Sequence, residues 1–183
     1  MKSREELTQL LKRYRTDFHD ELSFVTRFIE LLQSPRSFHR DHLPGHITAS
    51  AWIVDENKTH ALLIHHAKLN RWLQPGGHAD GDEDILNVAT QEVSEETGLS
   101  DLTLLVSGIF DLDIHPIPAR KDFPEHLHYD IRLAFIASQN EKLKISDESH
   151  DLKWVKLTEV PEITQQNSSI LRMIRKTLAG DQH

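Results

Sequence analysis

The sequence predicts an α/β or α+β layered domain that follows an N-terminal helical extension. Three observations support this: helical spacing of apolar residues up to Pro35, short apolar runs typical of strands from His46 onward, and helical patterns between and after those runs. Helices before, within and after a set of strands are typical of layered folds. A chain of 183 residues fits one such domain with an extension.

The N-terminal extension is predicted to form two helices. Apolar residues recur at helical spacing in two groups, Leu7, Leu10, Leu11 and Tyr14 in the first and Leu22, Val25, Phe28, Ile29 and Leu32 in the second. Thr16 or Asp17 is expected to cap the second helix, which Ser34 and Pro35 end. We interpret the extension as a packing segment without chemistry of its own and as the place to look for a homodimer contact.

After the extension the pattern changes to strands. Residues 47–54 and 59–65 are apolar runs separated by a polar turn, which predicts a β-hairpin. Segment 71–83 contains several glycines and a proline and is predicted to be a loop. The next element, 84–97, is predicted to be a helix that Gly98 ends.

The second half of the domain is predicted to contain three further strands and a last helix. Residues 102–114 and 127–137 are long apolar runs, and 115–126 is the proline-containing loop between them. Residues 151–157 form a short strand, and 165–179 have the spacing of a helix.

Composition excludes several classes of protein. Acidic residues outnumber basic residues 29 to 21, giving a formal net charge of −8, whereas a duplex nucleic-acid binder needs a basic surface. No apolar run approaches the roughly 18 residues of a membrane span, and the N-terminus lacks the apolar core of a signal peptide. Cysteine is absent, which excludes disulfides, thiolate metal sites and cysteine nucleophiles. We therefore expect a cytoplasmic protein without membrane or duplex nucleic-acid partners.

The helix predicted over 84–97 carries glutamates where they are unfavourable. Glu92, Glu95 and Glu96 lie in its last turns, where the helix dipole disfavours anions, and they are i,i+3 and i,i+4 neighbours. Together these effects amount to a penalty of roughly 1–3 kcal/mol. The buried stripe of the helix is predicted to consist of Ile85, Leu86, Ala89 and Val93.

The three carboxylates form a band beside that stripe. At about 100° per residue, Glu92 and Glu96 fall at its edge and Glu95 just beyond. Hard cations such as Mg²⁺ take clustered oxygen ligands, so the band is a candidate metal site, with a solvated acidic helix end as the alternative. Gly76 and Gly77, in the preceding loop, allow close approach of a ligand and offer carbonyl oxygens to a cation.

Residues 77–99, GHADGDEDILNVATQEVSEETGL, resemble the signature of the Nudix hydrolase superfamily. That signature is glycine, five residues, glutamate, seven residues, then Arg-Glu-apolar-any-Glu-Glu-any-Gly-apolar. Eight of its nine fixed positions match, at Gly77, Glu83, Glu92, Val93, Glu95, Glu96, Gly98 and Leu99. We refer to residues 77–99 as the box. The resemblance covers roughly residues 46–179, and we assign 46–183 to a Nudix hydrolase domain and 1–45 to the extension.

The resemblance implies an α/β/α sandwich around a mixed β-sheet. It also implies hydrolysis of a nucleoside diphosphate linked to another moiety, a small-molecule phosphoanhydride, with Mg²⁺ or Mn²⁺ as cofactor. By position it implies that Glu92, Glu95 and Glu96 bind the metal, Glu92 being also a candidate base for the attacking water. It further implies that the Gly77 carbonyl completes the metal shell and that Glu83 supports the box. Bound cations would neutralise phosphate oxygens and offset the repulsion at the helix end.

Gln91 departs from the signature, because the family has an arginine there that orients the neighbouring glutamates. Glutamine donates a hydrogen bond but carries no charge and lacks the bidentate fork. We expect weaker positioning of Glu92 or Glu83 with the metal site retained, and a basic side chain from elsewhere would compensate. The departure keeps open a second hypothesis, a Nudix-fold nucleotide-binding or sensor module with little turnover. An isopentenyl diphosphate isomerase is disfavoured, because those enzymes usually need a catalytic cysteine.

The loop predicted over 115–126 is the first candidate for substrate contact. Arg120 and Lys121 suit phosphate, and His126 and His128 share one face of the following strand by two-residue alternation. Imidazole also suits Zn²⁺, so a second metal site is an alternative, as are surface or hydrogen-bonded structural histidines. The residues considered for that metal site are His115, His126 and His128.

Two residues elsewhere complete the set of candidates. The resemblance implies Glu148 as a candidate remote base, because the family often draws a carboxylate from a later loop. A solvated loop residue is the alternative, and Asp147 and Asp151 share both readings. Trp72 suits stacking on a base, although core packing is the favoured role. A nucleotide sugar, a dinucleotide, a nucleoside triphosphate and a non-nucleoside diphosphate all remain open as substrates, because specificity resides in loops.

Overall fold

The computed structural model describes residues 1–180 and confirms the α/β arrangement with N-terminal helices. Within these residues the elements, in chain order, are α1 Arg4–Arg13, α2 His19–Leu31, β1 Gly45–Val54, β2 His60–His66, β3 Arg71–Leu73, β4 Gly76–His78, α3 Ile85–Thr97, β5 Thr103–Leu104, β6 Asp111–Ile117, β7 His126–Ile136, β8 Ser149–Lys156, α4 Val160–Ile163 and α5 Ser168–Ala179. None of the helices within this part of the chain is long and apolar enough to cross a membrane.

The strands pair as neighbours in the order β3-β2-β1-β7-β5, with β4 paired to β1, β6 to β7 and β8 to β2. The chain divides into two compact units. The first consists of Met1–Ser50, Gly76–Ala89 and Val106–Leu133, and the second of Ala51–Pro75, Thr90–Leu105 and the residues from Ala134 onward. Fully buried side chains of the first unit include Leu7, Leu11, Phe28 and Phe38, and those of the second include Trp52, Leu62, Leu63 and Phe135.

The two predicted N-terminal helices are present, but the expected cap of the second was wrong. Its N-cap is Phe18, which makes no side-chain capping bond. The Thr16 hydroxyl donates instead to the carboxylate of Glu21 and accepts a bond from the Phe18 N–H at 3.1 Å. Glu21 is fully buried and also accepts bonds from the Tyr14 hydroxyl at 2.6 Å and the Leu112 N–H at 3.0 Å. A buried carboxylate needs such donors, and Thr16 serves it rather than the helix.

The predicted hairpin is confirmed, but the predicted loop 71–83 contains two short strands, β3 and β4. In the first unit, β4 pairs antiparallel with β1, with Gly77 opposite Ala49 and Gly76 opposite Ser50. A Cβ atom at Gly76 would lie 2.7 Å from the Ala49 carbonyl oxygen, so only glycine allows this approach. The glycines that indicated a loop permit close strand pairing instead.

Two further boundaries differ from the prediction. The run 102–114 is not one strand, because the chain turns at Gly108, where φ is +98°, between β5 and β6. The expected loop 115–126 is shorter, because β6 continues until Ile117 pairs with His126. The strands predicted over 127–137 and 151–157 are confirmed as β7 and β8.

The last helix is confirmed, but it starts later than expected. It begins at Ser168, because the side chain of Asn167 accepts bonds from the backbone N–H groups of Ser169 and Ile170. The short helix α4 precedes it and was not predicted. Asparagine favours the N-cap position, so this boundary could have been read from the sequence.

Candidate active site

The glutamates of α3 have the graded exposure that their helical positions predict. Glu96 is 7% exposed, Glu92 is half-buried and Glu95 is exposed. Ile85, Ala89 and Val93 are buried, as predicted, together with Val88, but the fourth predicted residue, Leu86, is only half-buried. The last turn of α3 contains no basic residue. A carboxylate is therefore held at the edge of the core on a helix end that disfavours negative charge.

Gln91 is exposed and donates a hydrogen bond from Nε2 to Glu95 Oε1 at 2.8 Å. The two residues are one helical turn apart, the spacing at which Gln–Glu contacts form. Glutamine therefore orients one carboxylate of the band without adding charge. The role of each box residue in metal binding or catalysis stays a prediction.

Glu83 is held by an arginine from the N-terminal extension. Arg4 donates to Glu83 Oε1 from Nε at 3.1 Å and from Nη2 at 2.8 Å, and its backbone N–H donates to Oε2 at 3.0 Å. Its guanidinium also donates to the Leu32 carbonyl at 3.2 Å and to the Ser34 carbonyl. The basic side chain expected from elsewhere thus exists for Glu83, and it comes from α1.

Strand pairing and helix termination explain two of the glycines in the box. Gly77 lies on β4 opposite Ala49. Gly98 ends α3 at φ +76°, and a Cβ atom there would lie 2.9 Å from Lys144 Cβ. A left-handed residue after a helix is the usual place for glycine.

In the first unit, three strands carry polar side chains at alternate positions. Two-residue alternation places such residues on one face of each strand. Most of them are buried, and the apolar residues between them, such as Ile47 and Ile131, are fully buried as well. The polar positions are His46, Thr48 and Ser50 on β1, Asp111, Asp113 and His115 on β6, and His126, His128, Asp130 and Arg132 on β7.

Arg132 is the charge centre of this polar face. Its guanidinium contacts Asp111 at 3.2 Å, Asp113 at 3.1 Å and Asp130 at 2.9 Å. The three carboxylates raise the pKa of Arg132 against the effect of burial. Asp130 also accepts hydrogen bonds from Thr48 at 3.1 Å and Ser50 at 2.8 Å. This network was not predicted from the sequence, because it depends on the β6–β7 register, which pairs Asp111 with Arg132.

The histidines of the first unit form a cluster around His46, His78 and His128. One ligand nitrogen from each lies within 4.8 Å of the other two. Burial lowers the pKa of His46 to about 4 and that of His128 to about 2, and it also lowers the pKa of His78. At neutral pH all three rings are therefore uncharged. His46 and His78 were not singled out from the sequence, because their strands are distant along the chain.

The histidines predicted for substrate contact lie around this cluster. The rings of His115 and His126 lie 5.6 and 5.3 Å from that of His128, centroid to centroid. His115 Nδ1 lies 3.0 Å from Asp113 Oδ2, and His126 Nδ1 lies 2.9 Å from the Pro124 carbonyl. Of the three histidines considered for a second metal site, only His128 belongs to the group with converging nitrogens.

The remaining candidates have surface environments. Arg120 is exposed in the β6–β7 connection, where its backbone pairs with Phe123. The pKa of His78 is lowered mainly by burial and by the charge of Arg40, and the charge of Arg120 lowers it further. In the second unit, Glu148 is exposed and lies 3.3 Å from Lys68 Nζ. Trp72 is half-buried there, stacked on His65 at 5.0 Å with Lys153 Nζ 4.4 Å from its ring.

Comparison with known proteins decides the family. The model of the NUDIX domain matches residues 44–176. The chain belongs to the NUDIX family. This Nudix protein is a hydrolase, with the pyrophosphohydrolase type of activity that the family performs, and the predicted Nudix-type fold is confirmed.

Relatives and solved structures agree with this assignment. The chain is 27% identical over 113 residues to the bis(5'-nucleosyl)-tetraphosphatase [asymmetrical] of Rattus norvegicus, covering 61% of this chain and 74% of that protein. The corresponding protein of Mus musculus is 28% identical over 112 residues, covering 60% and 74%. A crystal structure of a C. elegans Ap4A hydrolase binary complex matches with a TM-score of 0.60 and 19% identity, covering 74% of this chain and 97% of that one. A NUDIX-family hydrolase from Clostridium perfringens matches with a TM-score of 0.57 and 22% identity, covering 73% and 97%.

Proposed function

We propose that this Nudix hydrolase is a Mg²⁺- or Mn²⁺-dependent pyrophosphohydrolase that cleaves a diphosphate linkage of a nucleoside diphosphate derivative by attack of water at phosphorus. The observation that carries the proposal is the buried carboxylate of Glu96, one of three glutamates on a helix end without a basic residue. The match at eight of nine signature positions supports it.

The donor set fits a hard cation. Glu92, Glu95 and Glu96 offer only carboxylate oxygens, the ligand type that Mg²⁺ and Mn²⁺ prefer. We propose these three residues as the metal ligands, with the Gly77 carbonyl as a further oxygen. When bound, the metal supplies charge neutralisation at the phosphate oxygens and favours ionisation of water.

The protein's own residues would then position the metal ligands and remove a proton from the attacking water. We propose that Glu92, which is half-buried, accepts the proton of the attacking water. Gln91 limits the rotation of the Glu95 carboxylate through its 2.8 Å hydrogen bond, and Arg4 does the same for Glu83. A carboxylate fixed in one orientation loses less entropy when it binds a metal, which supports these two contacts as positioning devices.

The substrate class is the finer part of the proposal. Two relatives are named as bis(5'-nucleosyl)-tetraphosphatases, so a dinucleoside polyphosphate is the first substrate to test. We propose His115, Arg120, His126 and His128 as substrate contacts and keep Glu148 as the candidate remote base. The exposed guanidinium of Arg120 suits a phosphate group.

The test is a hydrolysis screen with products identified by mass. The panel contains a dinucleoside polyphosphate, a nucleotide sugar, a nucleoside triphosphate and a non-nucleoside diphosphate, each with Mg²⁺, Mn²⁺ or chelator. Reaction in ¹⁸O-labelled water shows which phosphorus is attacked. Glu96→Gln removes the buried charge, and Glu159→Gln, an exposed glutamate, is the matched control.

Cleavage that needs the metal, is lost in Glu96→Gln and persists in Glu159→Gln supports the proposal. The sensor hypothesis is favoured instead if no panel member is cleaved while one of them raises the melting temperature. Metal-independent cleavage, or equal activity in Glu96→Gln, would contradict the assigned ligands.

Three further expectations remain proposals. We place the hydrolase domain at 46–183 and the helical extension at 1–45. We expect a cytoplasmic location, and we expect any homodimer contact to involve the extension, which size measurement of the full-length protein and of Leu22→Glu, at an exposed apolar position of α2, would test.

A further inference from the structure

The structure assigns a second kind of metal site to this protein: we propose that His46, His78 and His128 bind one divalent transition-metal ion of the Zn²⁺ class. One ligand nitrogen of each residue lies within 4.8 Å of the other two. Three histidines are a recurrent zinc ligand set, and imidazole suits Zn²⁺, Co²⁺ and Ni²⁺ better than Mg²⁺. The site is separate in chemistry from the carboxylate band of α3.

Two buried nitrogens point to a missing ligand. His46 is 1% exposed, and neither its Nε2 nor the Nε2 of His128 has a hydrogen-bond partner within residues 1–180. A buried nitrogen without a partner is unfavourable, because it has lost its hydration without gaining a replacement. Both rings belong to the group in which each residue offers one ligand nitrogen within 4.8 Å of the others, so a metal ion bound among them would give such nitrogens a partner.

The orientation of His46 supports a ligand role. Its Nδ1 lies 3.4 Å from the His42 carbonyl oxygen, so Nδ1–H is the donor and Nε2 carries the lone pair. A metal-binding histidine commonly donates its other ring N–H to a carbonyl in this way. The Nε2 lone pair of His46 is therefore available to a metal ion.

The strands hold the ligands in place. His46 lies on β1, His78 on β4 and His128 on β7, and β1 neighbours both of the other strands. Their rings are already in contact, with centroids of His46 at 5.2 Å from His78 and 5.0 Å from His128. Ligands on strands are positioned more firmly than ligands on loops, so little ordering is needed on binding.

The spacing needs only a small adjustment. Nitrogens of a tetrahedral zinc site lie about 2.0–2.1 Å from the metal and hence about 3.3 Å apart. Rotation of the half-buried rings of His78 and His128 brings nitrogens from within 4.8 Å to that separation. Three protein ligands leave a fourth position for water or another ligand.

The charges around His78 leave the site open to a cation. Arg40 is exposed and paired with Asp80, and Arg120 is exposed. Solvent screens the repulsion that such exposed guanidinium groups add, whereas the nitrogen–metal bonds are short and direct. The absence of a carboxylate ligand from the group makes Mg²⁺ a poor competitor.

The test measures binding of the metal alone. Full-length protein is stripped with chelator and titrated in excess Mg²⁺, with Zn²⁺ against a chromophoric chelator and separately with Co²⁺ while visible absorption is recorded. We expect one equivalent to bind and Co²⁺ to give the intense bands of a tetrahedral site. His46→Gln, His78→Gln and His128→Gln should each weaken binding by at least about 10–100-fold.

Two control variants make the result specific. His65→Gln changes a half-buried histidine of the second unit and should leave binding unchanged. Glu96→Gln alters the carboxylate band and, in excess Mg²⁺, should leave the binding of the Zn²⁺ or Co²⁺ equivalent unchanged. Circular dichroism checks that each variant is folded. Because His78 is only half-buried, His78→Gln should disturb packing less than His46→Gln does.

Three outcomes would overturn the proposal. One is that the stripped protein binds neither Zn²⁺ nor Co²⁺ tightly enough to compete detectably with the chelator. Another is that folded His78→Gln and His128→Gln proteins bind as the parent does. The third is that Glu96→Gln, and not the histidine variants, removes the bound equivalent, which would place the ion on the carboxylates.

Discussion

Arg4 and Glu83 are joined by three hydrogen bonds, two from the guanidinium and one from the Arg4 backbone N–H, at 2.8 to 3.1 Å. The same guanidinium reaches the carbonyls of Leu32 and Ser34, at the end of α2. One side chain of the extension therefore links α1, the end of α2 and Glu83, the first glutamate of the signature. The extension is part of the support of the box rather than an independent appendage.

Arg4→Ala should destabilise the protein by about 1.5–3 kcal/mol, because it removes charge-assisted hydrogen bonds and leaves the Leu32 and Ser34 carbonyls without this donor. Urea unfolding measures the change. Arg13→Ala, an exposed arginine of the same helix, is the control and should stay within about 0.5 kcal/mol of the parent. Equal effects of the two substitutions would show that the Arg4 contacts contribute nothing specific.

Gln91→Ala should lower the hydrolase activity less than Glu96→Gln does, because it removes only one neutral hydrogen bond to Glu95 on an exposed helix face. Glu96→Gln should lower the catalytic rate by on the order of 100-fold or more, because even residues that only support metal ligands cost 10–100-fold. Steady-state rates with the substrate found in the screen compare the two. The reverse order of effects would assign the limiting role to Gln91.

Arg132→Met should destabilise the protein by about 3–5 kcal/mol, because it leaves three carboxylates without their buried counter-ion. Urea unfolding again provides the measurement, with the exposed Arg175→Met as the matched control. A loss below about 0.5 kcal/mol would mean that Asp111, Asp113 and Asp130 do not depend on this guanidinium.

Asp55 should make stability depend on pH in the acid range. Burial raises its pKa, but bonds from the N–H groups of Thr59 at 2.6 Å and His60 at 2.8 Å, the Thr59 hydroxyl and Gln139 outweigh this and hold the pKa below its ordinary value. The folded state thus binds the proton less tightly than the unfolded state. The stabilisation is complete above the unfolded pKa of about 3.9 and is lost as pH falls through the folded pKa.

Asp55→Asn tests this dependence. The variant should be less stable than the parent by about 1–3 kcal/mol near neutral pH, and the difference should shrink below about pH 4. Urea unfolding at both pH values measures it, and Asp101→Asn, at an exposed position, is the control. A constant difference at all pH values would show that the charge of Asp55 is not involved.

Local patterns predicted the parts of the fold that depend on neighbouring residues. The spacing within α3 placed Glu96 beside the buried stripe, and the hairpin β1–β2 followed from a polar turn between apolar runs. The same reasoning failed where glycine has two uses. Glycine at position 76 allows strand pairing, whereas at position 108 it breaks a run that reads as one strand.

The parts that could not be predicted depend on long-range pairing. A compensating basic side chain was expected, but nothing in the local pattern of Arg4 indicates Glu83 as its partner. The histidine cluster needs β1 beside both β4 and β7, so His46 and His78 were not singled out. Alternation along one strand shows which side chains share a face, and only the strand order shows which faces meet.

Arg4 and Glu83 are 79 positions apart along the chain. This separation affects the order in which parts of the protein fold during synthesis. At about 5–20 residues per second, a ribosome needs about 4–16 s between adding the two residues. During that interval the guanidinium of Arg4 has no Glu83 to bind, and loop closure over such a distance carries an entropic penalty once both are present. We therefore expect the start of the box to become ordered late in folding, after the local helices α1 and α2 have formed.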